Sequence, residues 1–164
     1  MCGIAGFVIR NKEILNNFNL KKMYSIMKNR GPDNQDSIIF KKKNYYLSLI
    51  SSRLAILDLD KRSNQPFKVD NLVLIFNGEI YNYVELREIL KRKKIKFKTN
   101  SDTEVVLRAY QYWGEECVKF FEGMWSFAIK DISKNILFIS RDLFGEKPLY
   151  YYYDSKNFIF GSEI

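Results

Sequence analysis

The chain has 164 residues, 46% of them hydrophobic, which is enough apolar material for one domain with a sizeable core and excludes a disordered segment. Its 27 basic and 19 acidic residues leave a net charge of +8, concentrated at Lys41–Lys43 and at Lys91–Lys94 with Lys96 and Lys98. These runs are lysine-rich and lack the exposed-aromatic or recognition-helix pattern that base readout needs, so they read as solvated surface and not as a nucleic-acid partner site. The absence of histidine excludes Ser-His-Asp and Cys-His catalysis, and two distant cysteines, Cys2 and Cys117, make neither a disulfide scaffold nor a metal site.

No apolar run approaches the ~18 residues of a membrane span, and the start of the chain lacks a signal-peptide pattern. The expectation is a soluble, cytoplasmic protein with no membrane partner.

Residues 2 to 9 read as a buried strand headed by Cys2, directly behind the initiator methionine. Removal of Met1 would put a thiol and a free α-amine on one residue, a nucleophile beside a base. The plainer alternative is a small buried cysteine opening a strand. If Cys2 is a nucleophile, the lack of histidine leaves the α-amine as the obvious base, with an ordinary pKa of about 7.7–8.0.

Asn16 to Lys28 has helical spacing at Phe18, Leu20, Met23, Ile26 and Met27, and stops at the breaker Asn29-Arg30-Gly31-Pro32-Asp33. Residues 36–40 and 45–51 form a hairpin pattern. Ser52 to Asp58 is apolar apart from Arg53, and residues 59–71 are loop-like. Leu72 to Phe76 is an apolar strand that ends at Asn77-Gly78-Glu79. A helix is predicted over Tyr83–Lys93. A second starts at Ser101, where Ser101 and Glu104 match a capping box, and it ends near Trp113-Gly114. A short helix follows around 115–121, then strands over 124–130, 136–141, 149–153 and 158–162. Strands, then helices, then strands favour an α+β fold with antiparallel sheets.

Three positions could carry chemistry. Asn77-Gly78 is either a type I′ hairpin turn or a pair of donors, side-chain amide and backbone N–H, forming an oxyanion hole. The helical pattern after Glu79 argues against the hairpin. Arg53 is either ion-paired with a neighbour such as Asp58 or available to a substrate carboxylate. Asp102 is either a first-turn acid or a ligand for an ammonium group. Arg53, Glu79 and Asp102 together could grip both ends of an amino acid.

Six stretches then fall in order: Met-Cys-Gly-Ile-Ala-Gly at the start, Arg30-Gly31-Pro32-Asp33, Arg53-Leu54-Ala55-Ile56, Phe76 to Asn82, Ser101-Asp102-Thr103-Glu104, and Arg141 to Tyr150. The chain resembles, over its whole length, the N-terminal glutaminase domain of glutamine-hydrolysing asparagine synthetase, a class II glutamine amidotransferase. The resemblance implies an Ntn-hydrolase fold, an αββα sandwich of two facing antiparallel sheets. It implies that Cys2, freed of Met1, attacks the glutamine side-chain amide, with its own amine shuttling the proton. Asn77 and Gly78 would hold the oxyanion, and Arg53 the α-carboxylate. Backbone of Leu54, Ala55, Ile56 and Leu57 would line the pocket, and Glu79 and Asp102 would bind the α-ammonium.

Asn29 and Ser51 stand where the family usually has histidine, neither of them the base. In the family an ATP- and magnesium-dependent synthetase domain follows, whose motifs are not in this chain. The resemblance therefore implies no cofactor within residues 1–164. It implies a synthetase domain in cis or a separate ammonia-accepting partner, and allows a homodimer. The alternatives are the glutaminase half of an amidotransferase that makes an amino sugar, a surface polysaccharide or a purine precursor, or an inactive regulatory homologue.

Overall fold

In the computed structural model, which describes residues 2–10, 15 and 19–164, the described strands form two antiparallel sheets. One contains β1 (Gly3–Ile9), β2 (Asn34–Lys41), β3 (Tyr46–Arg53), β8 (Tyr150–Tyr153) and β9 (Asn157–Gly161), in the order β2-β3-β1-β9-β8. The other contains β4 (Phe67–Val69), β5 (Leu72–Ile80), β6 (Gly123–Asp131) and β7 (Ile136–Arg141), in chain order.

Side-chain alternation turns these sheets into layers. Ile4, Leu47 and Leu49 of the first sheet meet Val73, Ile75 and Ala128 of the second in one buried cluster between them. The opposite parity faces outward: Ala5 and Ile50 pack under α1 (Leu20–Met27). Leu72, Leu74, Phe76, Phe127 and Ile129 pack under α2 (Tyr83–Arg92) and α3 (Asp102–Trp113). The order of layers is helix, sheet, sheet, helix, the αββα sandwich that the resemblance implies.

The helix predicted from residue 16 begins at Leu20, with Asn19 as its N-cap accepting from the Lys22 N–H at 3.1 Å; Asn16 and Phe18 lie outside the described residues. Leu20, Met23 and Met27 face the sheet, whereas Ile26 is turned outward and exposed. Two other expectations need correction. The stretch 59–71 is not all loop: it holds a 3-10 turn at Lys61–Ser63 and β4, in which buried Phe67 and Val69 alternate around exposed Lys68. The strand beginning at Leu72 does not stop at Phe76. Pairing with β6 continues from Asn77↔Ser126 to Ile80↔Gly123 and holds Asn77-Gly78-Glu79 extended.

The capping box is also only half formed. Ser101 accepts from the Thr103 N–H at 3.1 Å, but the Glu104 carboxylate turns to the N–H groups of Lys98 and Thr99 at 2.9 and 2.7 Å. It therefore fastens the approach to α3 and not its cap. No helix of the described residues is long and apolar enough to cross a membrane.

Gly31 is where the turn after α1 crosses β3. A Cβ there would lie 2.2 Å from the Ser52 carbonyl oxygen and 2.5 Å from the Arg53 nitrogen, both backbone atoms that cannot swing aside. Gly31→Ala is expected to lower stability by about 2–3 kcal/mol, seen in a thermal melt as a fall of about 5–10 °C.

Candidate active site

The alternation that builds the interlayer core also aims the polar residues. Cys2 has the parity of Ile4, Arg53 that of Leu47 and Leu49, and Asn77 and Glu79 that of Val73 and Ile75. All therefore point between the sheets, at the end of the sandwich where β1 starts and β3 and β5 finish. The N-terminus of α3 closes this end with Asp102. Cys2, Arg53, Asn77, Gly78, Glu79 and Asp102 line one cleft, together with Leu54, Ile56 and Leu57. Ala55 does not line the cleft; its N–H donates to Asp33 Oδ2 at 2.8 Å.

The Leu54 N–H donates to Cys2 Sγ at 3.3 Å. Burial pushes the Cys2 thiol above its usual range, partly offset by that N–H and by the positive charge of Arg53. Behind it, the Arg30 Nε donates to the Cys2 carbonyl at 3.0 Å and its Nη1 to Glu163 Oε1 at 2.7 Å. The Asp33 N–H donates to the Arg53 carbonyl at 3.1 Å. The Arg30–Asp33 turn thus fixes both Cys2 and the segment carrying Arg53.

Arg53 is 5% exposed, yet it has no carboxylate partner among the described residues. The ion pair with Asp58 does not form. Arg53 donates instead to the carbonyls of Leu57, Asp58 and Asp60 and to Asn64 Oδ1 at 2.8 Å. The Asp58 backbone adopts a positive φ of 52°, which offers its carbonyl to Arg53 while its carboxylate accepts from the Asn100 N–H at 2.7 Å. The cation is held in place with its charge uncompensated, a state suited to an incoming carboxylate.

Asn77 is 1% exposed and its Nδ2 has no hydrogen-bond partner among the described residues. A buried donor left unmade costs about 1–3 kcal/mol. Gly78 follows at a place where a Cβ would lie 2.3 Å from the Met124 carbonyl oxygen, so only glycine keeps β5 seated on β6 here. The type I′ turn is excluded because both residues are inside the β5–β6 ladder.

Asp102 accepts from the Ile80 N–H at 3.2 Å and from Ser101 Oγ at 3.4 Å, but burial outweighs these bonds and pushes its carboxyl up to about 6. Glu79 adds negative charge beside it and forms no ion pair among the described residues. Two acids, one of them strained by desolvation, face the cleft opposite an unpaired arginine.

Of the two departures from the family pattern, Asn29 is exposed in the turn after α1, while Ser51 is buried and donates to the Gln65 carbonyl at 2.6 Å. Gln65 lines the cleft and is not singled out by its sequence neighbourhood, which reads as loop. Lys147 also lines it, carried by a turn in which the Asp142 carboxylate accepts from the Lys147 and Glu146 N–H groups. Among the described residues no group of three or more metal-ligating side chains gathers.

Cys117 is fully buried with its thiol pushed up to about 12, while Cys2 is partly accessible in the cleft. Iodoacetamide is expected to add one label to the folded protein, at Cys2, faster as pH rises, and a second only after denaturation. Intact mass and peptide mapping check this; native labelling of Cys117 would contradict it.

The whole chain, residues 1–164, matches the family model described as glutamine amidotransferase domain. It is 42% identical over 180 aligned residues to a Methanocaldococcus jannaschii protein provisionally named asparagine synthetase (glutamine-hydrolyzing) 2, covering all of this chain and 34% of that protein. It is 37% identical over 169 residues to asparagine synthetase (glutamine-hydrolyzing) 3 of Bacillus subtilis, covering all of this chain and 27% of that protein. The chain thus spans about a third or less of the length of these curated relatives. The glutamine phosphoribosylpyrophosphate amidotransferase of B. subtilis superposes with a TM-score of 0.72 over 99% of this chain and 42% of that one, at 18% identity. That likeness shows the Ntn-hydrolase fold. A match over its full length, on this fold, places the protein in the glutamine amidotransferase domain family, in the form carried by glutamine-hydrolysing asparagine synthetases.

Proposed function

We propose that this domain hydrolyses glutamine to glutamate and ammonia through Cys2, and that the ammonia feeds ATP-dependent synthesis of asparagine from aspartate. The observation that carries the first step is the buried, unpartnered Asn77 Nδ2 beside the Gly78 N–H in the cleft that holds Cys2 Sγ. Folding leaves a donor unmade there, and a developing oxyanion would satisfy it.

Removal of Met1 would expose the Cys2 α-amine. That amine takes the thiol proton as Sγ adds to the glutamine side-chain carbonyl carbon. The carbonyl oxygen becomes an anion between Asn77 Nδ2 and the Gly78 N–H. As the C–N bond breaks, the α-ammonium returns the proton to the leaving nitrogen, and ammonia departs from a glutamyl thioester. Water then cleaves the thioester, releasing glutamate and regenerating the thiol. The raised thiol pKa supports transfer within Cys2 itself, because the resting thiol keeps its proton until substrate is seated.

Arg53 takes the α-carboxylate, and Glu79 and Asp102 take the α-ammonium. The main chain of Leu54, Ile56 and Leu57 forms the wall. Support for the acceptor comes from the relatives, whose names couple glutamine hydrolysis to asparagine synthesis and which are about three to four times as long. ATP and magnesium would serve in that synthetase part, in cis or as a separate cytoplasmic partner.

Cys2→Ala should abolish glutaminase activity. Asn77→Ala should lower kcat about 10²–10³-fold with KM little changed; unchanged turnover would remove Asn77 from the mechanism. Asp102 is ionised above about 6, so kcat/KM for glutamine should fall as pH drops through that value and the ammonium loses its partner. The raised pKa also means the folded state holds this proton more tightly than the unfolded chain. The stabilising contribution is present below the ordinary carboxylate range and lost as pH rises through about 6. Asp102→Asn is therefore expected to raise KM about 10- to 100-fold while leaving the melting temperature at neutral pH unchanged or higher. A fall in melting temperature with unaltered KM would give Asp102 a structural role instead.

A further inference from the structure

The donors along one edge of β5 are used in sequence. β4 pairs with β5 only from Leu72 to Leu74, so beyond Leu74 this edge has no partner strand. Backbone N–H groups alternate sides in an antiparallel strand. The Tyr81 N–H donates to the Glu122 carbonyl, which assigns the odd-numbered donors of β5 to the β6 side. The even-numbered donors face the open edge: Phe76, Gly78 and Ile80. Two of these are taken by side chains. The Phe76 N–H donates to Gln65 Oε1 at 2.6 Å, and the Ile80 N–H donates to Asp102 Oδ2 at 3.2 Å. The Gly78 N–H lies between them, facing the cleft.

Gln65 is itself anchored. It is 4% exposed, and its carbonyl accepts from the buried Ser51 Oγ at 2.6 Å. Its side chain therefore works as a one-residue extension of β4, bonding β5 where that strand has run out. We infer that Gln65 is the positioning residue of the oxyanion hole: by taking up the Phe76 N–H it fixes the path of β5 so that Gly78 presents its own N–H, and Asn77 its Nδ2, to the substrate oxygen. This rests on the glutaminase reading for its chemical meaning, but the backbone geometry it asserts does not. Ser51 gains a function in the same way, as the support beneath Gln65.

The test is Gln65→Met, which keeps length and loses the acceptor, with Gln65→Glu as the variant that retains an acceptor oxygen. In Gln65→Met the Phe76 amide is expected to lose hydrogen-exchange protection and the Gly78 amide resonance to shift; Gln65→Glu should restore protection at Phe76. Glutamine turnover by Gln65→Met should fall about 10- to 100-fold in kcat at nearly constant KM. Its rate of alkylation by iodoacetamide, a displacement with no oxyanion to stabilise, should stay as in the unsubstituted protein. Unaltered Phe76 protection, Gly78 resonance and kcat in Gln65→Met would overturn the assignment. So would equal losses in kcat and in alkylation, which would mean that the nucleophile and not the oxyanion site had moved. If the unsubstituted protein fails to hydrolyse glutamine, the glutaminase reading falls, and the exchange data still decide whether Gln65 sets the Gly78 edge.

Discussion

The pairing of β5 with β6 is the constraint on which the site depends. It runs unbroken from Leu72↔Asp131 to Ile80↔Gly123. One half of that ladder is apolar and builds both cores, with Val73 and Ile75 facing the other sheet and Leu74 and Phe76 facing the helices. The other half carries Asn77, Gly78 and Glu79 without any change in backbone geometry. The polar cleft is thus the continuation of the hydrophobic interlayer by the same alternation, with its residues held by a ladder that the core has already made rigid. Preorganisation of this kind lets donors act on a transition state without reorganising when the reaction occurs.

The second requirement is electrostatic. Arg53, Asn77 and Asp102 are all at most 5% exposed, and each is left short of something: a counter-charge, an acceptor, or solvent for a carboxylate. Stability alone would select against all three, since buried polar groups are ordinarily satisfied. The two charges are of opposite sign and each is held by its own backbone partners, the carbonyls of Leu57, Asp58 and Asp60 for Arg53 and the Ile80 N–H for Asp102. They are therefore prevented from neutralising each other and remain available to a zwitterionic ligand. In the glutaminase reading proposed above, one α-amino acid would supply what all three lack.

Much of this was legible in the residues. Period-two and helical spacing located most elements, because their apolar faces are decided locally. The residue types of the site were legible too: a cysteine at position 2, a lone arginine in an apolar run, an amide before a glycine. What could not be read were features decided by distant partners. Asn77-Gly78 is a strong turn signal in isolation, and it is pairing with the distant β6 residues Ser126 and Trp125 that keeps it in the ladder. Charge and proximity favour an Arg53–Asp58 pair, but a left-handed backbone at Asp58 turns its carbonyl to Arg53 and sends its carboxylate to Asn100. Gln65 sits in a polar stretch where nothing local distinguishes a strand-capping amide from a loop residue. β4 is three residues long, below the length at which alternation speaks for itself.

Arg30 fastens the carbonyl of Cys2 and the carboxylate of Glu163, just past β9, to a single guanidinium. Two segments separated by nearly the whole described chain share one mooring. That side chain ties the backbone leaving β9 to Cys2, and β1 and β9 are themselves paired from Ala5↔Gly161 to Ile9↔Asn157. The start of β1 and the exit of β9 are therefore braced twice, by backbone pairing and by one guanidinium that reaches both.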